Sequence, residues 1–380
     1  MSQYHENYGV RRFPTIPARH ITATAWRRVV VGVAVTTFLA LSVGPAVATA
    51  LPHSRTNLRV AGTTRASATA ITTTNPICPP AGCPQPDPSN ATIYYGATPA
   101  LGETKPVLLF VHGLGGVAED WWTGGNDMYS MAYKAGYRTA FVSLAPGGAR
   151  GPAQDSYTQG ITLSQQIMTI TQYFNVPYVD IVAHSKGGID TQAAIAFDMS
   201  RSAPLVRYVT TLSSPHHGTK LADIVCALPP GTTQQFGIVQ TPGLCGTPDV
   251  NQGVNQGGLT TTSMEAFRQA VDPILATVPV TFFVASGTDW QDTPSLQLPG
   301  KVLAAAEPNS SNDGFVSVSS SCLLPGAHYL FAKSVDHGGI RVGHNSFPFI
   351  ALVEQGVALV NRNNAASAGS PGPAQCVLRP

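Results

Sequence analysis

Val179-Asp-Ile-Val-Ala-His-Ser185-Lys-Gly-Gly-Ile-Asp190 is the stretch that decides how this chain folds. A short apolar run ends in a serine, and two glycines open the next segment. The run reads as a buried strand and the part after Gly188 as a helix, which puts Ser185 on the sharp turn between them. Ala183 and Gly187, two before and two after the serine, are small enough for strand and helix to approach closely. A serine hydroxyl is a weak nucleophile unless a base takes its proton and fixed N–H groups face the charge that develops. A turn of this kind holds the hydroxyl where both can reach it. Taken alone, an Ala/Gly-flanked serine also fits a plain turn. Here the rest of the chain supplies partners.

Outward from the serine, a strand–helix rhythm runs in both directions. Pro106-Val-Leu-Leu-Phe-Val-His112 is a continuous apolar strand of the kind buried on both faces of a parallel sheet. A helix over Met128–Ala135 leads to a strand at Tyr137–Ser143, and a second helix over Gly160–Tyr173 leads to the strand at Tyr178–Ala183. After the turn, Ile189–Met199 reads as helix, Val206–Leu212 as strand, and Val280–Ala285 and Tyr329–Val335 as two more strands. The alternation predicts an α/β fold: a mostly parallel central sheet with helices on both faces. Residues 220–262 break the rhythm with Gly, Pro, Thr, Gln and Asn, so 220–275 reads as a cap or lid insertion. It closes with a helix signalled by the capping box Thr262-Ser-Met-Glu265, with Met264, Phe267, Val271 and Leu275 on one face.

The first fifty residues read separately. Arg27-Arg28 precede the apolar run Val29–Val43, then Gly44-Pro45 and Ala48-Thr-Ala50, the three parts of a secretory signal peptide. That run is shorter than the roughly 20 residues needed to span a bilayer, so secretion is expected ahead of a retained membrane anchor. Residues 51–90, rich in Thr, Ser, Ala and Pro, predict a linker, and 91–380 the folded domain. Without the leader the chain keeps 17 bases against 19 acids, so the basic balance belongs to the leader. Charged residues make up 11% of the chain, against an ordinary ~25%. With no basic patch interleaved with aromatics, this excludes a nucleic-acid partner. All six cysteines follow the leader, and an even count in an exported chain predicts disulfides. Pairing neighbours is least strained: Cys78–Cys83, Cys226–Cys245 and Cys322–Cys376. No Cys-x2-Cys spacing supports zinc.

The glycine-rich loop His112-Gly113-Leu114-Gly115-Gly116 follows the first apolar strand. It can turn the Leu114 N–H toward the serine, and the N–H of Lys186 supplies a second donor, together an oxyanion hole. Downstream of the serine the chain offers candidates for an acid and a histidine. His337, in Asp-His-Gly-Gly-Ile after the last strand, sits where a loop can bring an imidazole over the sheet's C-terminal edge. His344, in Gly-His-Asn-Ser-Phe, is the alternative, and His328 precedes its strand at the wrong end of the sheet. Two aspartates compete for the acid. Asp289 closely follows the strand Val280–Ala285, whereas Asp313 lies in Asn312-Asp-Gly-Phe-Val-Ser317 after an insertion. Asp313-Gly314 also fits a hairpin turn, and Asp289 a loop start capping its own backbone. Position alone favours Asp289. Trp121-Trp122 fit either core packing, the commoner fate of aromatics, or a wall for an apolar ligand.

Four blocks together resemble the bacterial secreted triacylglycerol lipases of the α/β-hydrolase superfamily: Val111-His-Gly-Leu-Gly-Gly116, Ala183-His-Ser-Lys-Gly-Gly-Ile-Asp190, Leu212-Ser-Ser-Pro-His-His-Gly-Thr219 and Asn312-Asp-Gly-Phe-Val-Ser317. The serine motif is similar to the G-x-S-x-G elbow of that superfamily, with Ala183 at the first glycine. The resemblance implies an α/β-hydrolase catalytic domain with Ser185, Asp313 and His337 as triad and Leu114 and Lys186 as oxyanion donors. It implies carboxylic ester substrates of acylglycerol type, contact with a lipid–water interface, and no organic cofactor. Where family members often carry a calcium-binding acid, two residues after the histidine, this chain has Gly339, so no metal is expected. Pro215-His216-His217-Gly218 would shape the loop beside the site, the adjacent histidines splaying apart rather than binding zinc. An acyltransferase or thioesterase with the same triad, or a non-catalytic exported binding module on a hydrolase scaffold, are the rival readings, because a fold does not fix a substrate.

Overall fold

The computed structural model describes residues 75–100, 105–145, 153–229, 240–248, 255–321 and 328–343, all within one compact unit, Thr69–Pro380. The signal peptide, most of the linker, Cys322, Cys376 and His344 lie outside the described residues.

Strands β1 (Gln85–Asp87), β2 (Asn90–Tyr95), β3 (Val107–Val111), β4 (Arg138–Val142), β5 (Val179–His184) and β6 (Val206–Leu212) are followed by the short pair β7 (Thr247–Pro248) and β8 (Asn255–Gln256). β9 (Thr281–Gly287) and β10 (His328–Lys333) complete the set. Eight of them form one sheet in the order β1-β2-β4-β3-β5-β6-β9-β10, and β7 and β8 make a separate ribbon. From β4 to β10 every pairing is parallel, as the alternation predicts. The antiparallel edge β1–β2 starts ahead of the expected domain boundary at 91. Pro86 is tolerated there because an edge strand leaves one row of N–H groups unpaired. The Asp87 carboxylate ties the turn by accepting from the Ser89 N–H, the Ser89 hydroxyl and the Tyr95 hydroxyl.

The helices are α1 (Met128–Lys134), α2 (Ser156–Phe174), α3 (Lys186–Phe197), α4 (Lys220–Ala227), α5 (Pro242–Cys245), α6 (Thr261–Leu275), α7 (Gln297–Ala306) and α8 (Val318–Ser321). Among the described residues none is long and apolar enough to cross a membrane. Alternation along β3 feeds both faces of the sheet. Val107, Leu109 and Val111 pack with Leu163, Ile167 and Ile170 of α2, while Leu108 and Phe110 pack with Trp121, Met128 and Tyr129. Trp121 and Trp122 are therefore core residues. A third cluster joins Ile189 and Ala193 of α3 to Leu221, Val225, Leu244, Met264 and Phe267 of the 220–275 segment. The Cys226–Cys245 disulfide clips α4 to α5, and Cys78–Cys83 closes a turn ahead of β1.

Helix starts differ from the sequence expectation at three places; α3 begins at Lys186, directly after the serine, and not at Ile189. α2 begins at Ser156 because the Asp155 carboxylate accepts from the Thr158 N–H at 3.0 Å, an N-cap that Gly160 disguised. α6 is capped by Thr260, not Thr262, its hydroxyl accepting from the Ser263 N–H at 3.2 Å. Gly160 sits inside α2 because α3 crosses it there: a Cβ would lie 2.6 Å from the Ala193 Cβ. Helix propensity alone favours Gly160→Ala by about 1 kcal/mol, whereas overpacking costs about 1–3 kcal/mol. The contact should win, so urea unfolding of Gly160→Ala should show a lower midpoint than wild type. A higher midpoint would mean α2 and α3 can part at no cost.

Candidate functional site

β5 delivers Ser185 to the C-terminal edge of the sheet, and α3 leaves at once in a new direction. The reversal is possible only because Ser185 adopts φ 53° and ψ −130°, a conformation rarely taken by a residue with a side chain. The neighbours leave room for nothing larger than glycine. A Cβ on Gly187 would run into the His112 carbonyl oxygen, and one on Gly113 would lie 2.8 Å from the Ser185 Cβ. The loop after β3 and the start of α3 are thus pressed against the serine from two sides. That brings the Gly113–Leu114 segment, with its N–H groups, beside Ser185 and the Lys186 N–H at the start of α3. Gly115, at φ 66°, turns the loop back on itself, and the Gly116 N–H donates to the Gly113 carbonyl at 3.1 Å.

Ser185, His337 and Asp313 converge on this edge from three elements. The Asp313 Oδ2 accepts a hydrogen bond from the His337 Nδ1–H at 2.8 Å, which fixes the tautomer. The His337 Nε2 then accepts from the Ser185 hydroxyl at 3.0 Å. Asp313 is fully buried, and Ser185 and His337 are nearly so. Its other oxygen accepts from the Phe315 and Val316 N–H groups at 3.0 and 2.8 Å, and its carbonyl accepts from the His337 N–H at 2.9 Å. The Asp313-Gly314 turn and the histidine contact therefore belong to one device. Asp289 is occupied elsewhere. The Gln291 N–H, foremost, and the Ser334 hydroxyl hold its carboxyl below the usual range, the self-capping loop start that its position also allowed. His328 opens β10, at the opposite end of that strand from His337.

Several contributors escaped the sequence reading. The His184 Nε2–H donates to the His337 carbonyl at 2.7 Å, and the two rings stand 4.7 Å apart. Burial first, and the neighbouring His337 second, hold the His184 imidazole well below its usual pKa, so it stays neutral. The Lys186 ammonium is buried against the Asp190 carboxylate at 2.5 Å and the Gln159 Oε1 at 2.6 Å. The only sequence signal for that pair is the i,i+4 spacing of Lys186 and Asp190 on a helix. Arg341 reaches Asp120 behind the glycine loop at 3.5 Å, linking that loop to the turn after His337. His216 is fully buried with its Nε2 3.2 Å from the Thr211 hydroxyl, and among the described residues no group of three or more His, Cys, Asp or Glu could hold a metal ion. Gly339, where an acid would be needed, lies in a tight turn, its N–H donating to Asp336 at 2.5 Å.

A cavity of about 830 Å³ is lined by Ser185 and His337, with Asp313 buried behind them. Its lining includes the apolar side chains of Leu114, Leu221, Leu244, Leu259, Leu296 and Phe315. Asp336 and Arg341, from the turn after His337, line it as well, so apolar and charged groups share the space.

No family model matches the chain, and no curated protein matches it by sequence. Solved structures do. The chain superposes on the mature form of the Bacillus licheniformis lipase BlEst2 with a TM-score of 0.57 and 29% identity, over 69% of this chain and 97% of that one. Against the propeptide form of the same protein the TM-score is 0.56 at 28% identity, and the match covers 69% of this chain and 53% of that one. The chain has the α/β-hydrolase fold. In α/β-hydrolase terms, β5, Ser185 and α3 make the strand–turn–helix at the centre of the sheet.

Burial pushes the Asp190 carboxyl up to about 6 despite the opposing pull of Lys186. The folded protein then binds this proton more tightly than the unfolded chain, so the stability due to Asp190 declines as pH rises from about 4 to about 6. Thermal melts of wild type and Asp190→Asn across that window should show the wild-type advantage shrinking with rising pH. An advantage that grows would reverse the assignment.

Proposed function

We propose that the protein is a secreted serine hydrolase of carboxylic esters, a lipase or esterase of the bacterial secreted triacylglycerol lipase type acting on acylglycerol-type substrates. The observation that carries this reading is the unbroken hydrogen-bond relay Asp313–His337–Ser185, whose serine and histidine line a cavity that also holds several leucines. Ser185 attacks the ester carbonyl while the His337 Nε2 takes its proton, and Asp313 stabilises the imidazolium. The N–H groups of Leu114 and Lys186 receive the negative charge that moves onto the carbonyl oxygen. Collapse of the tetrahedral intermediate expels the alcohol, which takes the proton back from His337 and leaves an acyl-serine. Water, deprotonated by the same nitrogen, then releases the carboxylic acid and restores the hydroxyl. The acyl chain lies along Leu221, Leu244 and Leu259, so the 220–275 segment acts as the cap that selects it. That neighbouring structures include an enzyme named a lipase supports the ester class. Two disulfides support residence in an oxidising compartment, in keeping with export.

Hydrolysis of p-nitrophenyl esters of graded chain length tests the assignment. Ser185→Ala should abolish both turnover and labelling by a fluorophosphonate. Asp313→Ala and His337→Ala should each lower kcat/KM by about 10⁴-fold, while Asp289→Ala stays near wild type. Loss of activity in Asp289→Ala with retention in Asp313→Ala would move the acid to the other loop.

A further inference from the structure

We infer that Lys186 is a positioning residue whose buried side chain holds one oxyanion donor in place, an inference that rests on the serine-hydrolase reading above. The relevant bond is the peptide between Ser185 and Lys186. Its plane, and hence the direction of the Lys186 N–H, is set by the ψ of Ser185, which stands at −130° beside a φ of 53°. Backbone in such a sparsely populated region relaxes unless its surroundings over-determine it. On the N-terminal side the restraint is evident: the Ser185 N–H donates to the Leu212 carbonyl at 2.8 Å. On the C-terminal side the Ser185 carbonyl accepts from the Gly188 N–H at 3.0 Å, and a further restraint comes from the Lys186 side chain, which lies outside the cavity lining and is fully buried. Its Nζ donates to Asp190 one turn on along α3 and to Gln159 across the interface on α2.

Two anchors on two helices define where the Lys186 Cα can sit. The α2 anchor is itself fixed, because the Ser156 N–H at the start of that helix donates to the Gly257 carbonyl at 2.8 Å. Stability does not explain the arrangement. A buried ion pair is often matched or bettered by apolar residues of the same volume, since desolvation offsets the attraction. An ion pair adds a directional constraint that a methyl group lacks. Here the constrained atom is one bond from the N–H that must meet the oxyanion.

Lys186→Met keeps an unbranched side chain one heavy atom shorter and removes its charge, and the Asp190 left behind can take up a proton. With active sites counted by fluorophosphonate titration, kcat per site on a p-nitrophenyl ester should fall by about 10- to 100-fold, part of the 10²–10³ associated with loss of a whole oxyanion donor. KM should move by about twofold at most, since ground-state binding does not use that donor. Affinity for an alkyl boronic acid, which forms a tetrahedral adduct on the serine, should drop by the same factor as kcat. Gln159→Leu, which spares the ion pair and removes only the α2 anchor, should shift kcat and boronate affinity together by a smaller factor. Unchanged kcat per site in Lys186→Met overturns the inference, as does a fall in kcat with boronate affinity intact. If Lys186→Met does not fold, Gln159→Leu decides on the same two readings. Failure of the hydrolase reading looks different, because wild type itself would then neither label nor turn over ester.

Discussion

The site depends on one constraint, the left-handed backbone of Ser185 packed between three glycines. Gly187 lets α3 start hard against the His112 carbonyl, Gly113 lets the loop after β3 approach the serine, and Gly188 makes room for the Ser214 side chain. None of these contacts is strong. Together they leave the serine no alternative conformation, and a rigid sheet on the other side supplies the counter-pressure. β3 and β5 are adjacent and parallel, in register from Val107–Val179 to Val111–Ala183. The two loops that meet at the serine are therefore carried by neighbouring strands and inherit their separation.

The central architecture was legible because buried parallel strands write themselves as continuous apolar runs. β3 to β6 and β9 appear in the sequence within a residue or two of their ends. The strands that escaped, β1 and β2, sit at an edge where pairing is antiparallel and one side is open, so Thr, Asn and Pro are tolerated and the composition resembles a linker. α7 escaped for a similar reason: Leu298-Pro-Gly300 reads as a breaker, yet Pro299 falls in its first turn, where no intrahelical N–H is needed. Capping positions were the least legible, since several threonines and aspartates near each start offer equivalent side chains. Only the packing of the helix selects among them.

Around the serine, the glycine loop and the elbow could be read from order and spacing. The acid could not, because Asp289 and Asp313 each follow β9 and each can satisfy a local turn. Three-dimensional closure separates them. Asp289 faces Ser334 and its own loop, while the Asn312–Ser317 bridge turns Asp313 back across the sheet edge to His337. The aspartate that the family resemblance pointed to is the one hydrogen-bonded to His337, whereas position along the chain pointed to the other. His184 and Asp190 lie within the serine block without a role read for them there, and Gln159 belongs to no motif. Their contribution lies in burial, a property of the assembled helices and not of any short window of sequence. At 29% identity to the Bacillus licheniformis lipase BlEst2, the chain shares the framework while many of its residues differ.

The clip between Cys226 and Cys245 has a mechanical corollary. Leu221 and Ala222 lie just before one cysteine and Leu244 beside the other, and the Leu259 N–H donates to the Leu244 carbonyl at 2.7 Å. One side of the cavity is therefore a panel stitched by a covalent bond and a main-chain bond. The apolar groups on that side are thereby held at a fixed spacing, so its shape is set by the stitching and not by whatever fills the hollow.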